Sequence, residues 1–167
     1  MEVVPSRFDI QRSSIVVEGK SDYYVLRYGA RLLGRAELPI LPGLGAGTFG
    51  ALAALHVGWN LKFLFLLDSD RQGTAERDRY ITDFGIPAER VGNIGDFVEG
   101  VSAIEDLLDE RALAAISIAL SLGKVPSKGQ IRRFFQERLA SDNIETLSDG
   151  FKGRVEALLD GLEARLG

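Results

Sequence analysis

Two pairs of acidic residues each follow a short apolar segment of the chain. Ser-Ser-Ile-Val-Val leads into Glu18 and Asp22, and Lys-Phe-Leu-Phe-Leu-Leu leads into Asp68 and Asp70. Carboxylate oxygens suit hard divalent cations such as Mg²⁺. Several carboxylates can neutralise one or two such ions, which then polarise a phosphate group and activate water. The residue types therefore indicate metal-dependent phosphoryl transfer.

The two apolar segments are typical of buried strands. A strand that ends in a carboxylate directs it to the sheet edge where open α/β folds keep their ligand sites. Taken singly, each of these four residues serves equally well as the cap of a strand or helix, because Asp is an ordinary N-cap residue. Two pairs at corresponding strand ends favour a shared site instead.

The rest of the chain indicates the elements that must position these residues. Strands are predicted at about 14–18, 38–41, 62–67 and 90–94, alternating with helices at about 22–33, 48–57 and 74–84, the first of them capped by Ser21. This alternation predicts βαβ units and a parallel sheet. Later helices are predicted at about 103–120, 128–140 and 144–166. We therefore expect an α/β core over residues 1–100, with about four parallel strands flanked by helices, and a helical extension over 101–167 that completes the site.

Bulk composition limits the class of protein. The 167 residues, 46% hydrophobic and 26% charged, are typical of one globular domain. The absence of cysteine excludes a disulfide scaffold and a thiolate metal site. No signal peptide or membrane span is recognisable, so a cytoplasmic location is expected. The net charge of −4 argues against nonspecific electrostatic nucleic-acid binding, but bound cations would reverse the sign of an acidic site.

The order and spacing of the acidic motifs resemble those of the TOPRIM domain. Its pattern is a Glu after the first strand and Asp-x-Asp after the third, matched here by Val-Val-Glu18-Gly-Lys-Ser-Asp and Leu-Leu-Asp68-Ser-Asp70-Arg-Gln-Gly. TOPRIM domains are shared by topoisomerases, bacterial primases, a ribosomal-RNA-maturing ribonuclease and the overcoming-lysogenization-defect (OLD) nucleases. The resemblance covers about residues 12–95. It implies that Glu18, Asp68 and Asp70 are catalytic cation ligands.

Among these families the motifs are most similar to those of the OLD nucleases. These proteins also place an Asp four residues after the first Glu, and carry a later acidic helix start and a downstream lysine. The resemblance implies Asp22 and Glu105 as further cation ligands, with Asp106 as the alternative to Glu105. It implies Lys128 as a catalytic lysine that stabilises the transition state, with Lys124 as its competitor.

The same resemblance implies cofactors and partners. Two Mg²⁺ or Mn²⁺ ions are expected, with Ca²⁺ as a non-catalytic substitute, and the expected activity is DNA nicking or cleavage. Residues expected to contact nucleic acid are Lys20, Arg71, Lys124 and Arg132. OLD proteins carry an ATPase domain before this domain, so an ATPase is expected in the full-length protein; a homodimer is also compatible with the sequence. The alternatives are a TOPRIM ribonuclease acting on structured RNA and a non-catalytic metal-binding module.

Two other features favour structural roles. The loop with Gly43, Gly45, Gly47 and Thr48 lacks the lysine of a phosphate-binding P-loop, so we interpret it as a turn between strand and helix. His56 is the single histidine and follows Leu55 in a helical pattern, which favours a packing role.

Overall fold

The computed structural model describes residues 13–43, 50, 54, 57–59 and 61–167. Residues 50, 54, 57 and 58 are helical, as predicted for 48–57. The predicted loop residues Gly45, Gly47 and Thr48, together with His56, lie outside the described residues.

In the described part of the chain, four parallel strands form one sheet, as the sequence predicts. They are β1 (Ser14–Val17), β2 (Ile40–Pro42), β3 (Phe63–Leu67) and β4 (Val91–Asn93), in the spatial order β2-β1-β3-β4. Val17 pairs with Pro42 on one side and with Leu66 on the other, while Leu67 pairs with Asn93. Because all strands run in one direction, their carboxyl ends meet at one edge, and the chain leaves β1 and β3 there.

Helices cover both faces of the sheet. The described α-helices are α1 (Lys20–Leu32), α2 (Arg71–Thr82), α3 (Glu110–Ala119), α4 (Lys128–Ala140) and α5 (Asp149–Leu166). Alternate strand residues point to opposite faces. Val17 and Leu66 join a large apolar cluster with α1, α4 and α5. Phe65 and Leu67 join a smaller cluster that includes Tyr80 of α2.

The C-terminal helices pack directly on the sheet and on α1. Tyr28 of α1 stacks edge to face on Phe135 of α4, with ring centroids 4.9 Å apart. The Tyr28 hydroxyl donates a 2.6 Å hydrogen bond to the carbonyl oxygen of Glu145. A Cβ atom at Gly29 would overlap the Val155 side chain, so glycine permits α5 to approach α1 closely. This packing fixes α4 beside α1, and both helices contribute to the site described below.

Several predicted boundaries were wrong for local reasons. Helix α1 begins at Lys20 with Gly19 as its N-cap, so Ser21 lies inside the helix. The predicted helix at 103–120 is interrupted: a 3₁₀ turn, Ile104–Leu107, is followed by α3. The break occurs because Asp109 caps α3, accepting a 2.8 Å hydrogen bond from the Ala112 amide. The last helix begins five residues later than the predicted 144, since Ser148 caps it through the Phe151 amide.

The described helices include none that is both long enough and apolar enough to cross a lipid bilayer.

Candidate active site

An open cavity of about 440 Å³ lies at the carboxyl edge of the sheet. Its walls come from the turn after β1, the start of α1, the ends of β2 and β3, the 3₁₀ turn and α4. The lining residues are Glu18, Gly19, Lys20, Ser21, Asp22, Gly43, Asp68, Glu105, Lys128 and Arg132. Four of the five predicted cation ligands thus line one cavity, together with three of the predicted basic residues.

Glu18 and Asp68 are each the first residue after a strand, β1 and β3 respectively, and those strands are adjacent. Burial raises the pKa of Glu18, a backbone hydrogen bond from Asp68 lowers it, and the charge of Asp70 raises it. Burial followed by the charges of Glu18 and Glu105 raises the pKa of Asp68 to about 6. The carboxylates therefore repel one another across a partly dehydrated space, which favours binding of a cation.

Asp22 occupies the third position of α1 and turns back towards the cavity. Its Oδ2 accepts a 2.8 Å hydrogen bond from the Gly19 amide. Burial, followed by the charge of Asp68, raises the pKa of Asp22 to about 7. Asp22 therefore combines a capping role at the helix start with a place among the cavity carboxylates.

Asp70 is placed differently from the other predicted ligands. It is exposed, lies outside the cavity lining, and caps α2 by accepting a 2.7 Å hydrogen bond from the Gly73 amide. Its charge still raises the pKa of both Glu18 and Asp68. Asp70 thus adds to the negative field at this edge while its side chain serves as a helix cap.

Of the two predicted alternatives Glu105 and Asp106, only Glu105 lines the cavity. The 3₁₀ turn directs the two side chains apart. Asp106 Oδ2 accepts hydrogen bonds of 3.0 and 2.9 Å from the amides of Ser102 and Ala103. The Asp106 side chain therefore stabilises the 3₁₀ turn that contains it.

Among the two predicted lysines, Lys128 lines the cavity and Lys124 does not. Lys128 Nζ lies 3.3 Å from Glu105 Oε2, and the Glu105 charge raises the pKa of Lys128. Lys20 and Arg132 also line the cavity, whereas the exposed Arg71 at the start of α2 lies outside it. The structure therefore groups three cationic side chains with the four carboxylates.

Two residues near the site were not singled out from the sequence. Asn93, at the end of β4, is buried, and its Nδ2 donates a 2.5 Å hydrogen bond to the Asp68 carbonyl oxygen. Glu76 of α2 lies close enough for its charge to raise the pKa of Glu18. The signal for Asn93 was available, because it is the polar residue one position before the end of the fourth predicted strand. Nothing in the sequence marked Glu76.

The donor set fits a hard divalent cation. Four carboxylates supply oxygen ligands. Burial, with a further contribution from neighbouring carboxylate charges, raises the pKa of Glu18, Asp22 and Asp68, and a bound cation would neutralise that charge. Among the described residues, however, no group of three or more acidic or histidine side chains is arranged to hold a metal ion as it stands. Binding through three carboxylates would therefore require their side chains to converge.

Comparisons with known proteins gave one structural likeness. The sequence matches no model of a known protein family, and no curated protein matches it. The structure is similar to that of the C-terminal region of the OLD protein of Xanthomonas campestris pv. campestris, with a TM-score of 0.43 and 17% identity. The match covers 92% of this chain and 97% of that chain.

Proposed function

We propose that this chain is a divalent-cation-dependent nuclease domain that hydrolyses DNA phosphodiesters. The main support is the cavity at the carboxyl edge of the sheet, which four carboxylates and three basic side chains line. Carboxylates alone would suit a cation site, and basic side chains alone would suit a phosphate site. Their combination in one open cavity suits an anionic polymer whose phosphate is cleaved with the help of cations.

Glu18, Asp22, Asp68 and Glu105 would hold the cations. Bound Mg²⁺ or Mn²⁺ would supply Lewis-acid polarisation of the phosphate and activation of water. Asp70 lies outside the cavity lining and its Oδ1 accepts from the Gly73 amide, so we assign it an electrostatic and capping role.

The basic residues would orient the nucleic-acid backbone. Lys20 and Arg132 lie on helices α1 and α4, line the cavity and are exposed. Lys128 lies nearest to the carboxylates and would offset the charge that develops on the phosphate in the transition state. Because the site is open, a polymer can pass across it without its ends entering a closed pocket.

The test is cleavage of supercoiled plasmid in Mg²⁺ or Mn²⁺, with EDTA as the reference. Asp68→Asn keeps the side-chain shape, and we expect it to lower the nicking rate at least 100-fold. Glu89→Gln is the matched control, since Glu89 is exposed and lies outside the cavity. Nicking by Asp68→Asn at the wild-type rate would refute the assignment.

Parallel assays distinguish the alternatives. A structured RNA incubated under the same conditions tests the ribonuclease alternative. Preferential cleavage of RNA would show that RNA, and not DNA, is the substrate. Calorimetric titration with Mn²⁺ tests the non-catalytic module, which is supported if the cation binds and neither polymer is cut. An ATPase domain as partner follows from the OLD resemblance and is tested by measuring whether a joined ATPase changes the nicking rate.

A further inference from the structure

Asn93 is an unusual residue in the interior of this protein. In the described part of the chain only two polar residues are buried, Ser14 at the start of β1 and Asn93 at the end of β4. A buried amide that lacks hydrogen-bond partners destabilises the folded state, so the hydrogen bonds of such a side chain matter. One hydrogen bond of the Asn93 side chain is made to Asp68, a predicted cation ligand.

The Asn93 amide replaces a missing strand contact. The pairing of Leu67 with Asn93 is the last one between β3 and β4, so Asp68 lies one step beyond the ladder. Asn93 Nδ2 donates a 2.5 Å hydrogen bond to the Asp68 carbonyl oxygen. The side chain therefore continues the ladder by one bond at the residue that carries the carboxylate.

The amide orientation is itself fixed. Arg77 Nη1 donates a 3.3 Å hydrogen bond to Asn93 Oδ1 and a 3.2 Å hydrogen bond to Asp96 Oδ2. The guanidinium can only donate, so it holds the oxygen of the Asn93 amide towards itself. The NH₂ group is thereby held towards Asp68.

Ser69, the residue after Asp68, makes two further hydrogen bonds. The Ser69 amide donates a 2.7 Å hydrogen bond to the carbonyl oxygen of Ser102, and Ser69 Oγ accepts a 2.6 Å hydrogen bond from the Gly95 amide. The Asp68 carbonyl and the Ser69 amide belong to the same peptide group, so these bonds hold that group from both sides. The peptide group before Asp68 is held as well, because the Asp68 amide donates to the Glu18 carboxylate. These bonds together restrict the direction in which the Asp68 side chain leaves the backbone.

We propose that Asn93 is a positioning residue for the Asp68 carboxylate, acting through the Asp68 carbonyl oxygen. The inference rests on the proposed function, because it assigns Asp68 to cation binding. Groups that orient metal ligands from behind commonly change metal affinity 10- to 100-fold when they are replaced.

Asn93→Asp is the sharpest test. Aspartate keeps the shape and still accepts from Arg77, but it has no hydrogen to donate to the Asp68 carbonyl. Ser14→Ala is the matched control, because it removes the other buried polar side chain from the opposite end of the same sheet. If Asn93→Asp does not fold, Arg77→Met replaces it, since this variant releases the amide and leaves Asn93 in place.

Two readouts are measured for each variant. The first is Mn²⁺ affinity by calorimetry, where Asn93→Asp should weaken binding about 10-fold, Arg77→Met about threefold, and Ser14→Ala not at all. The second is hydrogen exchange of the Ser69 amide without added cation, which should quicken about 10-fold in Asn93→Asp and stay unchanged in Ser14→Ala after correction for global stability.

The outcomes separate the two proposals. Equal Mn²⁺ affinity and equal Ser69 exchange in Asn93→Asp and wild type would overturn the role of Asn93 and leave the nuclease proposal intact. Equal effects of Asn93→Asp and Ser14→Ala would also overturn it, because a general loss of stability would then explain both. If the wild type binds no Mn²⁺, cation binding fails, and Ser69 exchange alone decides whether Asn93 holds the turn.

Discussion

Lys128 Nζ lies 3.3 Å from Glu105 Oε2 at the rim of the cavity. The lysine side chain is 74% exposed and the glutamate 17% exposed, so the ammonium reaches from solvent onto a largely covered carboxylate. An ammonium and a divalent cation bound by the same carboxylate would compete. Lys128 therefore has two opposing effects: it would weaken cation binding at Glu105 and assist a phosphate that arrives afterwards.

This relationship predicts opposite changes in two measurements. Lys128→Met should bind Mn²⁺ about fivefold more tightly in calorimetry, because Glu105 loses its competing partner. The same variant should nick plasmid at least 10-fold more slowly, because the charge beside the phosphate is gone.

Lys124→Met is the control, because it also removes one positive charge. It should change neither the Mn²⁺ affinity nor the nicking rate by more than twofold. Weaker Mn²⁺ binding by Lys128→Met would contradict the competition. In a Glu105→Gln background the gain from Lys128→Met should disappear.

The partly buried carboxylates predict how stability depends on pH in the absence of added cations. Asp22 has a folded-state pKa of about 7, raised from an ordinary 3.8 mainly by burial. The folded state therefore binds this proton more tightly than the unfolded chain. The resulting loss of stability begins as pH rises above about 4 and is complete above about 7.

Asp22→Asn should consequently raise the free energy of unfolding at pH 8 by about 2 kcal/mol and leave it unchanged at pH 3.5. Denaturant unfolding at the two pH values measures this. Glu89→Gln serves as the exposed control. A destabilised Asp22→Asn at pH 8 would indicate that the Gly19 amide bond to Asp22 outweighs the repulsion.

Asp70 is the residue for which charge and capping can be separated by substitution. Asn caps a helix about as well as Asp, so Asp70→Asn should change the free energy of unfolding by less than about 0.5 kcal/mol. Asp70→Ala should lose about 1 kcal/mol, because the Gly73 amide loses its acceptor.

Both variants should weaken Mn²⁺ binding about threefold through loss of a nearby negative charge. A loss of 30-fold or more in Asp70→Asn would instead show that Asp70 is a direct ligand. Calorimetry on both variants decides between these two roles.

Gly73 predicts a steric effect on the site. A Cβ atom there would overlap the carbonyl oxygen of Asp68, because α2 starts directly against the end of β3. Gly73→Ala should therefore cost about 2 kcal/mol of stability and weaken Mn²⁺ binding about 10-fold by displacing Asp68.

Gly153→Ala in α5 is the matched control, since a Cβ at Gly153 meets no atom within 4 Å. That variant should gain up to about 1 kcal/mol from helix propensity and leave Mn²⁺ binding unchanged. Thermal unfolding and calorimetry compare the two. A gain in stability for Gly73→Ala would show that the start of α2 can move away from Asp68.

Prediction from the sequence succeeded where a periodic pattern was strong. The apolar run at 62–67 predicted β3 within one residue, and the helix at 128–140 was predicted with its exact ends. The common location of Glu18 and Asp68 could be predicted, because each directly follows an apolar strand. The shared edge of parallel strands then brings them into one cavity without further information.

Prediction failed where a local cap decides. The break at Asp109 comes from a side-chain hydrogen bond to the Ala112 amide, which competes with the wider periodic pattern. The cap that Asp70 forms on α2 is one of the two roles that the sequence left open for it. The sequence favoured Lys128 over Lys124 only through the family resemblance. That Lys128 lines the cavity depends on how α4 packs against α1, and no local pattern in the sequence contains that information.

The close approach of α5 to α1 at Gly29 and Val155 has a consequence for any attempt to transfer this candidate site to another protein. The apolar cluster beneath the cavity draws residues from β1 at one end of the chain and from α5 at the other. A minimal fragment cut at residue 100 would leave half of that cluster facing water and lose the wall that bears Lys128. Grafting experiments should therefore carry the chain through Leu162.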